Sequence, residues 1–124
     1  MGSYSETATM AIDRLKDKGV DVGLMRLRLW RPFPFEEVRA AVKDADTVII
    51  LDRALSFGGP GGPVASEIKA ALYGQAKMPK IVSFVGGMGG RDISPTGFEE
   101  IISKGMEIAR HGSDNEFEIF GVRE

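Results

Sequence analysis

The chain has 124 residues, a formal net charge of −2, 43% apolar residues and 27% charged residues, which fits one domain that can bury a core without disulfides. It contains no cysteine, and this excludes disulfide bonds, thiolate zinc sites and iron–sulfur clusters held by this chain. The charge balance provides no electrostatic basis for binding nucleic acid or an anionic membrane, and no apolar run approaches the roughly 20 residues that cross a bilayer. We expect a cytoplasmic protein, because the absence of cysteine fits a reducing compartment.

The first two predicted elements are a helix and a strand. Apolar side chains recur at helical spacing over residues 5–18, and a glycine follows the last turn. Residues 20–30 alternate between apolar and other side chains and predict a strand that the segment RPFP ends. One face carries Met25, Leu27 and Leu29, and the other carries Arg26, Arg28 and Trp30. The face with the arginines is either exposed to solvent or a subunit contact, because tryptophan and arginine are enriched in interfaces.

A second helix is predicted over residues 35–43 and a second strand, TVIIL, over residues 47–51. A short strand that is apolar throughout is typical of a parallel sheet covered on both faces. Asp52 and Arg53 follow at the carboxyl end of this strand, where open α/β sheets bind ligands. We interpret them as a local ion pair that fixes the loop, with a contact to another domain as the alternative.

The glycine-rich segment GGPGGP, residues 58–63, lies between this strand and a helix predicted over residues 64–73. Phosphate-binding loops occupy the same position in other α/β proteins. A P-loop needs Gly-Lys-Ser/Thr at the helix start, and a dinucleotide-binding loop needs G-x-G-x-x-G after the first strand. Neither pattern occurs, and two prolines lack the N–H donors that a phosphate needs. We therefore interpret Gly58, Gly59 and Gly61 as a turn that also contacts a partner, with anion binding as the alternative.

The last part of the chain predicts a buried strand over residues 80–85, a second glycine-rich loop and a final helix. Ser94 can cap this helix and Pro95 can begin it, and the pattern extends to about residue 110. Residues 111–124 form a tail in which Phe117, Ile119 and Val122 alternate, which indicates a short extended segment.

Helices and strands alternate along the whole chain, which predicts a three-layer α/β/α domain with a mostly parallel sheet. Arg91 and Asp92 lie at the carboxyl end of one predicted strand, as Asp52 and Arg53 do for the strand before it. Because the carboxyl ends of parallel strands meet at one edge of a sheet, these two pairs together are the best candidate for a docking surface.

Three segments, RPFP, LDR with its glycine loop, and GGRD, resemble in this order and spacing the second domain of the alpha chain of 2-oxoacid:ferredoxin oxidoreductases, most closely the pyruvate enzyme. The resemblance covers nearly all of residues 1–124 and implies one domain with the fold of the transketolase C-terminal domain. In that fold a core strand precedes the G-S turn with which this chain begins. The resemblance therefore implies a fragment of a larger alpha chain, without the strand that lies between those predicted at 20–30 and 47–51.

The resemblance also implies a function for the whole enzyme. Enzymes of the family that this sequence resembles use thiamine diphosphate and magnesium to decarboxylate pyruvate oxidatively. They form acetyl coenzyme A and pass the electrons through iron–sulfur clusters to ferredoxin. Its thiamine motif, GDG, and its cysteine ligands do not occur in this sequence. We therefore expect a structural docking domain with no catalytic, cofactor-binding or metal-binding residues, inactive alone, whose partners are other domains and subunits of the complex. It would meet ferredoxin only through that complex and would self-associate as a fragment.

The alternative is a free-standing flavodoxin-like module, or a regulatory module that binds an anion or a nucleotide. This alternative depends on the glycine loop, because the loop lies between a strand and a helix, where phosphates are often bound.

Overall fold

Helices alternate with parallel strands along the chain. The computed structural model of the protein describes residues 2–122. In chain order the elements are α1 (Tyr4–Asp17), α2 (Phe35–Val42), β1 (Thr47–Asp52), α3 (Pro63–Leu72), β2 (Lys80–Gly86), a 3-10 turn (Met88–Gly90), α4 (Pro95–His111) and β3 (Glu118–Phe120). The four predicted helices and the two predicted buried strands are confirmed, with ends that differ by one or two residues.

Local chemistry explains where α4 begins and ends. The Ser94 hydroxyl accepts a hydrogen bond from the Gly97 N–H at 3.0 Å, and Pro95 occupies the first turn. This satisfies one of the N–H groups that have no partner within the helix. Gly112 follows the last residue with φ of 82°, in the left-handed region that glycine adopts without strain.

The three strands form one parallel sheet in the order β1-β2-β3. Thr47 lies opposite Lys80, and β3 pairs only with the carboxyl half of β2, with Glu118 opposite Phe84. The extended segment predicted in the tail is therefore a short edge strand. Among residues 2–122, no helix is both long enough and apolar enough to cross a membrane.

Helices cover both faces of the sheet, as the three-layer prediction requires. The core between the sheet, α2 and α3 contains Phe33, Val38, Val42, Ile50, Ala65, Ile68, Ala71 and Leu72. The core between the sheet, α1 and α4 contains Ala8, Ala11, Val82, Phe84, Ile93, Phe98 and Ile101. Neighbouring residues of β1 alternate between the two, since Ile50 belongs to the first and Ile49 packs against the second. This explains why the strand is apolar throughout.

The strand predicted over residues 20–30 is wrong, because this segment pairs with no strand in the described part of the chain. The alternation of exposure breaks twice, since both Gly23 and Leu24 are exposed, and so are both Arg28 and Leu29. Arg26 and Arg28 are exposed, but Trp30 turns inward and meets the Phe33 ring edge-on at 5.6 Å, and Leu29 is left 52% exposed. Trp30 therefore does not share a surface with the two arginines as predicted.

Within the described residues, β1 has a strand on one side only. The Lys80 N–H donates to the Asp46 carbonyl at 2.9 Å, so in a parallel ladder the even-numbered residues of β1 direct their backbone groups toward β2. The backbone groups of Thr47, Ile49 and Leu51 then point away from it. No hydrogen bond to these three residues from outside the ladder is found within residues 2–122. This side of β1 is a free sheet edge.

Candidate functional site

Asp52 connects the end of β1 to the beginning of α3. Its Oδ1 accepts a hydrogen bond from the Val64 N–H at 2.9 Å, and its Oδ2 accepts one from the Ala65 N–H at 3.0 Å. The residue is 3% exposed. A Cβ atom at Gly62 would lie 2.1 Å from Oδ2, so only glycine at this position allows the carboxylate to approach the helix. The predicted ion pair of Asp52 with Arg53 is wrong, since the carboxylate is used as a helix cap.

The first turn of α3 has no free donor for a phosphate. Pro63 lacks an N–H, Val64 and Ala65 donate to Asp52, and the Ser66 N–H donates to the Gly62 carbonyl at 3.2 Å. A carboxylate already occupies the positive end of the helix dipole. Burial raises the pKa of Asp52, and the two backbone hydrogen bonds oppose this with a smaller lowering effect.

Hydrogen bonds within the glycine loop hold it in one shape. The Ser56 N–H donates to the Gly61 carbonyl at 2.8 Å, and the Gly59 N–H donates to the Ser56 carbonyl at 3.0 Å. Gly61 is buried with φ of 130°, and its position would place a Cβ 3.3 Å from the Phe117 ring. The interpretation of this segment as a turn agrees with this geometry, because its internal contacts account for its glycines.

Tyr4 brings the two predicted strand ends together. The Arg53 guanidinium stacks on the Tyr4 ring, 4.3 Å from its centroid. The Tyr4 hydroxyl donates a hydrogen bond to the Arg91 carbonyl, and the Arg91 side chain donates to the Gly121 carbonyl at 2.6 Å. The loops after β1 and β2 are thus joined through a residue of α1 that sequence reasoning missed. Nothing in the sequence near Tyr4 indicates this contact.

The predicted site residues fall into three groups. Five of them are exposed in the loops after β1 and β2, and together with the exposed apolar residues of the first loop they form what we call the carboxyl-end surface: Arg53, Leu55, Phe57, Gly58, Gly59, Arg91 and Asp92. Asp52 and Gly61 are buried beneath it, where the contacts described above are made within the domain. Arg26 and Arg28 are exposed on the separate segment of residues 20–30, and Trp30 of the same segment is half-buried against Phe33.

The carboxyl-end surface also includes two apolar side chains that sequence reasoning missed. Leu55 is 39% exposed, and Phe57 has a relative exposure of 106%, so the folded domain leaves this residue uncovered. The signal that was available is the position of a phenylalanine beside glycines in a loop, where no helix or strand would bury it.

The described residues offer no cluster of ligands for the magnesium ion that the sequence resemblance implies for the whole enzyme. Residues 2–122 contain no group of three or more histidine, aspartate or glutamate side chains that could hold a metal ion. A depression of about 470 Å³ beside Arg91 is lined by Gly87, Met88, Gly89, Asp92, Ile93, Phe120, Gly121 and Val122. No catalytic step follows from this lining.

Comparison with known proteins identifies the family. A profile of the pyruvate:ferredoxin oxidoreductase core domain II matches residues 1–98. The chain belongs to this family, and the resemblance found in its sequence is confirmed.

Several curated relatives are subunits of oxidoreductases. Pyruvate synthase subunit PorA of Methanothermobacter thermautotrophicus is 42% identical over 104 residues, which cover 84% of this chain and 26% of the relative. PorA of Thermotoga maritima is 37% identical over 126 residues, which cover 100% of this chain and 31% of the relative. Ketoisovalerate oxidoreductase subunit VorA of Pyrococcus furiosus is 33% identical over 112 residues, which cover 90% of this chain and 28% of the relative. The chain spans less than a third of the length of these relatives.

Proposed function

We propose that this chain is a non-catalytic docking domain of the alpha subunit of an oxidoreductase that acts on pyruvate or a related 2-oxo acid. The observation that carries the proposal is the Asp52 carboxylate at the N-terminus of α3. The glycine loop is the one feature whose pattern suggested a cofactor phosphate, and the chain's own side chain already uses the donors that a phosphate needs.

The docking role draws support from the carboxyl-end surface. Its charged and apolar side chains are exposed beside loops that internal hydrogen bonds hold in place. The carboxyl ends of parallel strands are where open α/β sheets bind their ligands. In the proposal, thiamine diphosphate, magnesium, the iron–sulfur clusters and coenzyme A are bound by other parts of the enzyme, and ferredoxin meets the complex outside this domain.

The names of the relatives support the substrate class. Two of those described are subunits of pyruvate synthase and one is a subunit of a ketoisovalerate oxidoreductase. Pyruvate and ketoisovalerate are both 2-oxo acids with different side chains. We therefore propose the 2-oxo acid as the substrate class of the whole enzyme, with pyruvate as the first compound to assay.

Complementation tests this function. The chain is added to the remainder of the oxidoreductase, purified without this domain, and pyruvate-dependent viologen reduction is measured with thiamine diphosphate, magnesium and coenzyme A present. We expect no reduction by the chain alone and restored reduction when the two parts are combined. Activity of the chain alone would contradict the non-catalytic role. Failure of the parts to bind each other would contradict the docking role.

A further inference from the structure

We infer that Phe57 is the anchor through which this domain docks, and that it inserts into an apolar pocket rimmed by acidic side chains on another subunit of the same oxidoreductase. The inference deepens the proposed function and rests on it. It names the residue that makes the contact and the chemistry of the surface that receives it.

The exposure of Phe57 is the first observation. Its relative exposure of 106% means that the folded domain covers none of the ring. Phenylalanine is among the side chains that gain most from burial, and aromatic anchors dominate the energetics of many interfaces. Leu55, on the same loop and 39% exposed, adds apolar surface beside it.

The loop presents this ring on a fixed support. Gly58 follows Phe57 directly with φ of 66°, a conformation that reverses the chain where a larger residue would be strained. The Ser56 N–H closes the loop on the Gly61 carbonyl, and Gly61 packs on Phe117. Because the loop backbone is already fixed, a partner that covers Phe57 has to order only the side chain and not the loop. The glycine loop therefore has a structural role: its conformation places Phe57 away from the end of the sheet.

The charges around the loop indicate the rim of the receiving pocket. Arg53 lies at the foot of the loop, exposed and stacked on Tyr4, and Tyr4 connects it to Arg91. Asp92 is the exposed group of opposite charge on this surface. Among the described residues of this surface, two guanidinium groups against one carboxylate give a net positive charge, which complements acidic side chains on the partner.

The test compares two exposed aromatic residues within the assembled oxidoreductase. Phe57→Ser is made in the complex, and Tyr73→Ser serves as the matched control, since Tyr73 is 85% exposed and follows α3 at its other end. We expect Phe57→Ser to raise the dissociation constant of this domain's subunit roughly tenfold or more, and Tyr73→Ser to leave it unchanged. Both variants should keep the wild-type urea midpoint, because neither ring belongs to the core.

A second variant reports the burial of the ring directly. In Phe57→Trp the new indole should shift its emission to shorter wavelength on assembly, while Trp30 provides the same background in the wild-type complex. Arg53→Glu should weaken association and reduce its salt dependence, and Arg53→Lys should preserve both.

The outcomes separate the two proposals. If the complex assembles equally well with Phe57→Ser, and Phe57→Trp shows no shift, the anchor is wrong while the docking function stands. If the wild-type domain does not assemble with the other subunits at all, the docking function is wrong as well.

Discussion

Asp52 combines a buried charge with a helix cap, and this makes its contribution to stability depend on pH. Burial raises its pKa above the usual 3.8, against the smaller lowering effect of the N–H groups of Val64 and Ala65. The native state then binds more protons than the unfolded state between the two pKa values. The stabilisation is present below the unfolded pKa and is lost as pH rises through the folded pKa.

We therefore predict that Asp52→Asn becomes less unfavourable as pH rises. Asparagine does not titrate, so the free energy of unfolding of the wild type relative to this variant should fall as the pH rises above the usual 3.8 and through the raised pKa of the folded state. Asp52→Ala should cost about 1–3 kcal/mol, because it leaves two N–H groups of α3 without an acceptor. Urea unfolding at each pH measures both effects.

Asp92→Asn is the matched control, because Asp92 is an exposed carboxylate after the neighbouring strand. If Asp92→Asn shows a pH-dependent difference of the same size, the effect comes from the general charge of the carboxyl-end surface. That result would contradict the assignment to the buried cap.

At the scale of an element, the position of α4 on the sheet depends on Gly105. A Cβ at Gly105 would lie 2.6 Å from Cδ1 and 2.8 Å from Cγ1 of Ile49 in β1. Helix propensity alone favours alanine over glycine by about 1 kcal/mol. We predict the opposite sign: Gly105→Ala should destabilise the domain by about 1–3 kcal/mol, because the helix must move off the strand or Ile49 must leave its rotamer. Thermal or urea unfolding gives the sign directly.

A double-mutant cycle with Ile49→Ala identifies the cause. Removing the Ile49 side chain frees the space that the new methyl needs, so Gly105→Ala should be neutral or stabilising in that background. An equal cost in both backgrounds would show that this contact does not determine how closely α4 approaches β1.

The elements also show what a sequence can predict and where it cannot. Helical periodicity, the Ser94 cap and the apolar runs of β1 and β2 are local signals, and the structure confirms them. Residues 20–30 carry the local pattern of a strand, but a strand also requires a neighbour with which to pair, and no local pattern reveals whether one is there. The contact of Tyr4 with Arg53 and Arg91 depends on tertiary structure in the same way. Asp52 lies 12 positions before Val64, from whose N–H it accepts a hydrogen bond, so no local pattern links the two residues. The only local sign was that Gly62, which precedes α3, has no side chain that could cap the helix.

At the scale of the whole molecule, the sheet of the described residues has an unpaired edge along β1. The outward backbone groups of Thr47, Ile49 and Leu51 extend along a strand of six residues, which spans about 20 Å at the usual rise per residue. Helices cover the strand above and below, but no strand within the described residues pairs with this side. Long, apolar, unpaired edges promote pairing between chains.

We predict that the isolated chain forms a dimer or a larger species through this edge. Sedimentation velocity over a range of concentrations should show association, and Thr47→Pro should weaken it, because proline removes an outward N–H and is tolerated at the first residue of a strand. Ile119→Pro is the control for the opposite edge, since the same ladder alternation directs its N–H away from β2. It should leave the association constant unchanged. If the wild-type chain sediments as a compact monomer at every concentration, the β1 edge does not act as a pairing surface.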